Sequence, residues 1–141
     1  RQAVEEEASR LGLSAAVTIT GFLPMEQAWE LVKRADICFS PFYPVPVLLS
    51  TSPTKLIEYM AMAKCVIANE HPEQCQIMEA SGIGHCIPWG EQFFADEVCN
   101  LLDNPERARM MAAKGPKWVQ THRTYDVIAD LVELKYQELL R

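Results

Sequence analysis

Short apolar runs alternate along this chain with stretches of helical periodicity, and that alternation limits the fold more than any other feature. The runs are AVTIT (16–20), DICFS (36–40), CVIA (65–68) and GHCIP (84–88). Each is too short for a stable helix and rich in β-branched or apolar residues, which is the mark of a strand. Residues 2–11 carry helical spacing, closed by Gly12 as a C-terminal cap. Pro24 precedes a run with Ala28, Leu31 and Val32 on one face, which predicts a second helix to about Arg34. Ser52 offers an N-cap hydroxyl with Pro53 at the first helical position, which predicts a helix to about Ala63. PEQCQIMEAS reads as a helix closed by Gly82, and three more follow near 91–102, 105–120 and 125–140. PFYPVPVLLST holds three prolines and reads as a loop. Strands alternating with helices imply an α/β fold: a parallel sheet flanked by helices on both faces.

Such sheets take ligands beyond the C-terminal ends of their strands, where helix N-termini converge. Here those ends are 20–23, 40–54 and 68–72, so the proline-rich loop and the helix start at Ser52–Lys55 fall on the rim. A helix start carries unpaired N–H groups and roughly half a positive charge, enough to hold a phosphate. Thr54 and Lys55 would offer backbone donors there, and Lys55 adds a full charge. Glu58 lies one turn further in, and an ionised carboxylate accepts hydrogen bonds from sugar hydroxyls. Phosphate and sugar side by side suggest a nucleotide or a nucleotide sugar. The same residues also fit an ordinary cap followed by an ordinary surface charge, and spacing alone does not separate the two. No Gly-x-Gly-x-x-Gly or Walker loop is present.

Bulk properties narrow the classes further. The 141 residues suit a single domain over 1–141, and 49% apolar content supports a core. The net charge is −6 without a Lys/Arg run, which argues against duplex nucleic acid or an anionic membrane surface as partner. No apolar stretch approaches the roughly 20 residues of a membrane-spanning helix, and no signal peptide is visible. The chain opens on Arg1 in helical composition and reads as an excised piece of a longer protein. Five cysteines without a Cys-x-x-Cys pair, each among apolar neighbours, predict buried reduced thiols in a cytoplasmic protein. His71, His85 and His122 are too scattered to suggest a metal site. His71 is expected as an exposed loop residue and His85 as a strand residue, while Glu73 and Glu79 read as a solvated helix face. Trp118 and Tyr125 flank the last helix joint as core packing, Met60 and Met62 as core fillers, and Phe42 and Tyr43 as either loop anchors or a wall of the site.

SPTKLIEYMAMAKCVIA closely resembles the group 1 glycosyltransferase segment Ser-Pro-x-Lys-x-x-Glu-Tyr-Met-Ala, followed by small-x-Pro-Val-Ile-Ala. VTITGFLPMEQAWELVKRADICFSP, GIGHCIPWG and LLDNPERARMMAAKGPKWV resemble further family segments in the same order, so the likeness spans residues 11–140. It implies the Rossmann-like C-terminal, donor-binding domain of a two-domain GT-B enzyme, with the N-terminal acceptor domain and this domain's first strand and glycine-rich turn cut away. By resemblance, Glu58 holds the ribose hydroxyls, and Thr54 and Lys55 meet the diphosphate at the Ser52-Pro53 helix start. Leu23, after Gly21, packs near the base. A second family glutamate, eight positions before the ribose carboxylate, is Ser50 here. Lys64-Cys65 replaces the usual Gly/Lys-Pro step, which should alter the turn from helix to strand.

The implied reaction moves a sugar, with retention, from a nucleotide-diphosphate sugar to an acceptor. No metal or other cofactor is expected, since a helix start and a lysine can carry the leaving charge and no Asp-x-Asp motif appears. No catalytic residue is singled out. The expected setting is cytoplasmic polysaccharide biosynthesis, with any membrane association made through the missing part. The alternatives are a non-catalytic Rossmann-like module binding a nucleotide or a protein, or a sugar-nucleotide epimerase of GT-B architecture.

Overall fold

A computed structural model describes residues 1–141. The chain divides into two compact units, Arg1–Leu31 and Val32–Arg141. In the first, α1 (Gln2–Arg10) ends as its sequence predicts. Gly12 takes a positive φ of 70°, the Gly12 N–H donates to Ser9 O at 3.0 Å, and the Leu13 N–H donates to Ala8 O at 2.7 Å. That reciprocal pair satisfies two of the helix's orphan carbonyls. The strand expected at 16–20 is absent. Residues 14–16 form a turn and 17–20 run on without a ladder partner, since the sheet contains only the three strands described next. A β-branched run becomes a strand only where another strand meets its backbone groups. The next helix, α2 (Met25–Arg34), contains the boundary between the units.

The second unit is built on β1 (Ile37–Ser40), β2 (Cys65–Asn69) and β3 (Cys86–Ile87). They are parallel and ordered β1-β2-β3, with Ile37 opposite Cys65 and Ala68 opposite Cys86. All five residues of β2 are buried. Its side chains alternate between two cores, as the two-residue period of a strand requires. Val66 and Ala68 join Leu56 and Met60 of α3 (Thr54–Ala61), Ile77 and Met78 of α4 (Pro72–Ser81), and Val119 of α7 (Gly115–His122). Cys65 and Ile67 join Leu101 of α5 (Glu91–Asp103) and Ala112 of α6 (Pro105–Ala112) on the other face. The parallel sheet is thus flanked by helices, as expected for a Rossmann-like fold.

Several boundaries differ from the sequence reading. The helix expected over 105–120 is two helices, because Pro116 has no N–H to donate to Ala112 and its ring would clash with that carbonyl. The strand expected at 84–88 shrinks to two residues, leaving His85 exposed just before it. The final helix, α8 (Tyr125–Leu139), buries no residue, and Tyr125 is 92% exposed rather than packed in a core. Trp118 does pack against the first core and stacks on His122 with ring centroids 4.8 Å apart. Met60 is fully buried as expected, while Met62 is half-buried at the end of α3. No helix is long and apolar enough to cross a membrane.

The turn from α3 into β2 runs through Met62, Ala63 and Lys64. Ala63 takes a left-handed φ of 53°, with the Lys64 N–H donating to Tyr59 O at 2.9 Å and the Ala63 N–H to Met60 O at 3.1 Å. Lys64 Nζ then donates to Lys33 O at 2.6 Å and Ala35 O at 3.1 Å, capping the end of α2. An alanine at this cap position is strained by about 1–2 kcal/mol. Ala63→Gly is therefore expected to stabilise the chain by roughly 0.5–1 kcal/mol, since the strain relieved outweighs the added chain entropy. Urea unfolding measures it, and an unchanged or lowered midpoint would remove the left-handed assignment.

Candidate functional site

The C-terminal ends of β1 and β2 end in buried polar residues rather than apolar ones. Ser40, Asn69, His71 and Gln74 are all at most 2% exposed. Buried polar groups need partners, and these find one another. Ser40 Oγ donates to Gln74 Oε1 at 2.5 Å, and Gln74 Nε2 donates to the Asn69 carbonyl at 3.1 Å. The Asn69 amide clamps the Phe42 backbone twice: its Oδ1 accepts from the Phe42 N–H at 2.7 Å and its Nδ2 donates to Phe42 O at 2.9 Å. No buried side-chain nitrogen or oxygen lacks a partner.

His71 is the N-cap of α4, where its Nδ1 accepts from the Gln74 N–H at 3.4 Å. Its Nε2 must then carry the proton, and it donates to Leu48 O at 2.9 Å. The ring also lies 4.7 Å from that of Phe42. His71 is therefore not the exposed loop residue its sequence context suggests. It is a post that ties the proline-rich loop to the sheet, and nothing in its immediate sequence announces Leu48 as its partner. Asn69 and Gln74 were equally silent, although a polar residue closing the apolar run CVIA is the signal that could have drawn notice. Asn69→Ala is expected to cost about 2 kcal/mol, since it strips Phe42 N–H and C=O of their partner. Thermal unfolding reads that loss; a shift no larger than that of an exposed Asn104→Ala control would argue against the clamp.

The loop so held contains a 3₁₀ turn at Pro46–Leu48 and leads into α3. Ser50 is exposed and its Oγ donates to Val47 O at 3.4 Å. The start of α3 differs from the expected Ser52 cap. Pro53, buried, occupies the N-cap position with φ −81° and ψ 72°, and no side chain caps the helix. These angles are those of an inverse γ-turn, and the Thr54 N–H accordingly donates to Ser52 O at 3.0 Å. The Thr54 amide is thereby engaged within the chain, while the Lys55 N–H makes no backbone hydrogen bond.

Lys55 Nζ folds back over the loop. It donates to Pro41 O at 3.3 Å and sits 4.8 Å from the centre of the Phe42 ring. Burial pulls its pKa below the ordinary lysine value. Phe42 thus serves as the loop anchor, half-buried between His71 and Lys55, whereas Tyr43 is exposed and meets Trp89 edge-on at 5.4 Å. Glu58 is exposed one turn along α3, and its carboxylate makes no hydrogen bond or ion pair. Ser50, Ser52, Pro53, Thr54, Lys55 and Glu58 therefore lie along one loop-to-helix segment at the carboxyl edge of the sheet. Gly21, with φ 68°, and half-buried Leu23 belong to the first unit. Glu73 is not merely solvated, since it pairs with Arg123 at 3.3 Å.

The segment offers an ammonium, an unpaired amide, the exposed hydroxyl-bearing Thr54 and a carboxylate within about one helical turn, a set suited to an anion joined to a polyol. Residues 1–118 match the family described as glycosyl transferases group 1. The chain belongs to that family. No curated protein sequence matches it. Among solved structures, sucrose-phosphate synthase from Thermosynechococcus elongatus matches with a TM-score of 0.78 at 22% identity. The match covers 99% of this chain and 34% of the synthase, so the chain spans about a third of that enzyme's length and the likeness is one of fold.

Proposed function

We propose that this chain is the donor-binding domain of a retaining, metal-independent glycosyltransferase, which moves a sugar from a nucleotide-diphosphate sugar to an acceptor. The observation that carries the reading is the start of α3 in a group 1 family member: Lys55 and Glu58 stand one turn apart on the sheet's carboxyl edge. In this reading residues 1–141 act as one donor-binding domain, Glu58 accepts from the ribose hydroxyls, and Lys55 and its amide meet the diphosphate. Ser50 and Thr54 offer hydroxyls where the family often has a sugar-binding glutamate and a diphosphate contact. Charge developing on the departing diphosphate is then balanced by groups already in place, which is the form of stabilisation that lowers a barrier. Acceptor binding and closure fall to a second domain.

Lys55 must leave Pro41 O to reach a phosphate, and the exchange is favourable because a charged acceptor replaces a neutral one. Lys55→Ala is expected to weaken UDP or GDP by about tenfold while changing uridine or guanosine little. Calorimetry on the chain checks this, and equal losses for diphosphate and nucleoside would argue against phosphate contact. A thermal-shift screen of nucleoside diphosphates and their sugars, ranked by base, tests the proposal as a whole. The engaged Thr54 amide and the folded-back Lys55 also suit a non-catalytic module; no shift with any nucleotide would favour that reading.

A further inference from the structure

An aromatic cavity of about 680 Å³ lies across the proline-rich loop from Lys55, within the roughly 300–1,000 Å³ range of small-molecule sites. Its walls are Phe39 on β1, Pro41 and Tyr43 in the loop, Trp89 just before α5, and Glu91 and Phe94 in the first turn of α5. The register sets Phe39 opposite Ile67, on the α5 face of the sheet, whereas α3 packs on the other face. Four rings follow one another around the cavity: Tyr43 to Trp89 at 5.4 Å, Trp89 to Phe94 at 6.2 Å, and Phe94 to Phe39 at 5.9 Å. These contacts leave much of three rings bare, with Tyr43 61%, Phe39 42% and Trp89 41% exposed. The polar groups beside them are equally free. The Tyr43 hydroxyl, the Trp89 indole N–H and the Glu91 carboxylate hydrogen-bond to no other group of the chain. Glu91 is also the one charged side chain of the wall, which disfavours phosphates and other anions.

We propose that this cavity takes a pyranose ring of a neutral carbohydrate chain. The choice of a sugar rests on the proposed glycosyl transfer, and the chemistry of the wall agrees with it. A pyranose presents a face of C–H groups, which suits the electron-rich face of an aromatic ring. Its hydroxyls can donate to the Glu91 carboxylate and accept from the Trp89 indole N–H, a group that can only donate. A quaternary ammonium suits the rings and the carboxylate but leaves that indole donor without an acceptor. Pro41 joins the two sites, since it lines the cavity while its carbonyl receives Lys55 Nζ. A chain seated there lies one loop away from the donor segment. This domain then holds a glycan of its own, in addition to the acceptor contacts made by a second domain.

Saturation-transfer NMR on the chain, without nucleotide, tests this with maltotetraose, cellotetraose and mannotetraose. Irradiation of the aromatic protons should pass signal to the ring C–H protons of at least one of the three. Trp89→Ala should weaken that sugar by about tenfold, with a far-UV spectrum as the folding control. Should that variant not fold, Tyr43→Ala, at the more exposed position, is expected to give the same loss. Tetramethylammonium and uridine should leave the sugar in place. Transfer to none of the three sugars, an affinity unchanged in the folded variant, or displacement by tetramethylammonium or uridine would overturn the proposal. Because nucleotide is absent throughout, the two readings fail separately. Sugar transfer in a chain that shifts with no nucleotide supports this site alone, and nucleotide binding without sugar transfer removes this site alone.

Discussion

Gly115→Ala should lower the unfolding midpoint by on the order of 10 °C, the largest loss expected from adding a single methyl group to this chain. A Cβ at Gly115 would stand 2.4 Å from the Met60 carbonyl oxygen and 3.0 Å from its carbon and Cα. All three are backbone atoms of α3, so no rotamer change removes the clash. Nor can α3 retreat, since Leu56 and Met60 are fully buried against Val66, Ala68 and Val119. Only a shift of α7 relieves the overlap, and that opens the shared core. Overpacking of this kind costs about 3 kcal/mol, and each kcal/mol moves the midpoint of a chain this size by roughly 3–5 °C. Gly12→Ala is the control. Its Cβ would meet nothing within 4 Å, so it pays only for a φ of 70°, about 1 kcal/mol. Calorimetric scans of the two variants should separate clearly. A Gly115→Ala midpoint at or above that of Gly12→Ala would show that the α3–α7 approach is looser than described.

The same close approach illustrates which parts of this fold were legible in the sequence. CVIA could be read as a central strand because a strand buried on both faces must be apolar throughout, and β2 is. AVTIT carries an equally strong signal and forms no strand, because pairing depends on a neighbour that local sequence does not specify. Gly12 and Gly82 were readable as helix ends, since their left-handed φ values answer a local need that glycine meets best. Ala63 meets the same need without being glycine, and so leaves no mark. Ser52-Pro53 has the composition of a cap, yet Pro53 turns instead and takes the Thr54 amide with it. His71 was misread for a related reason. Its burial rests on Leu48 and Phe42, both more than 20 positions away, and a histidine beside proline and glutamate reads as surface. The cysteines divide in the same way: Cys38 and Cys65 are buried as their apolar neighbours suggest, but Cys99 lies on an exposed helix face.

Glu58→Ala is expected to reduce affinity for a nucleoside diphosphate by tenfold to a hundredfold, on the order of the loss of charge-assisted hydrogen bonds to two vicinal hydroxyls. The fold should be indifferent to the change. Glu58 is exposed and without a partner, and alanine is the better helix former. Calorimetry with UDP or GDP, whichever gives the larger thermal shift, measures the loss, and a far-UV spectrum controls for folding. Removing a carboxylate near the helix start proposed to hold the diphosphate also removes repulsion, which would raise affinity if Glu58 only faced the phosphates. The sign of the effect therefore separates a ribose contact from a bystander charge. A 2′-deoxy analogue sharpens the separation. The unsubstituted chain should bind it more weakly than the ribonucleotide, and Glu58→Ala should bind both alike, because the hydroxyl and the carboxylate are then two ends of one lost interaction. A discrimination that survives in Glu58→Ala would place the ribose on another residue, and Thr54 and Ser52, the exposed hydroxyl side chains nearest along the same segment, would be the first to examine.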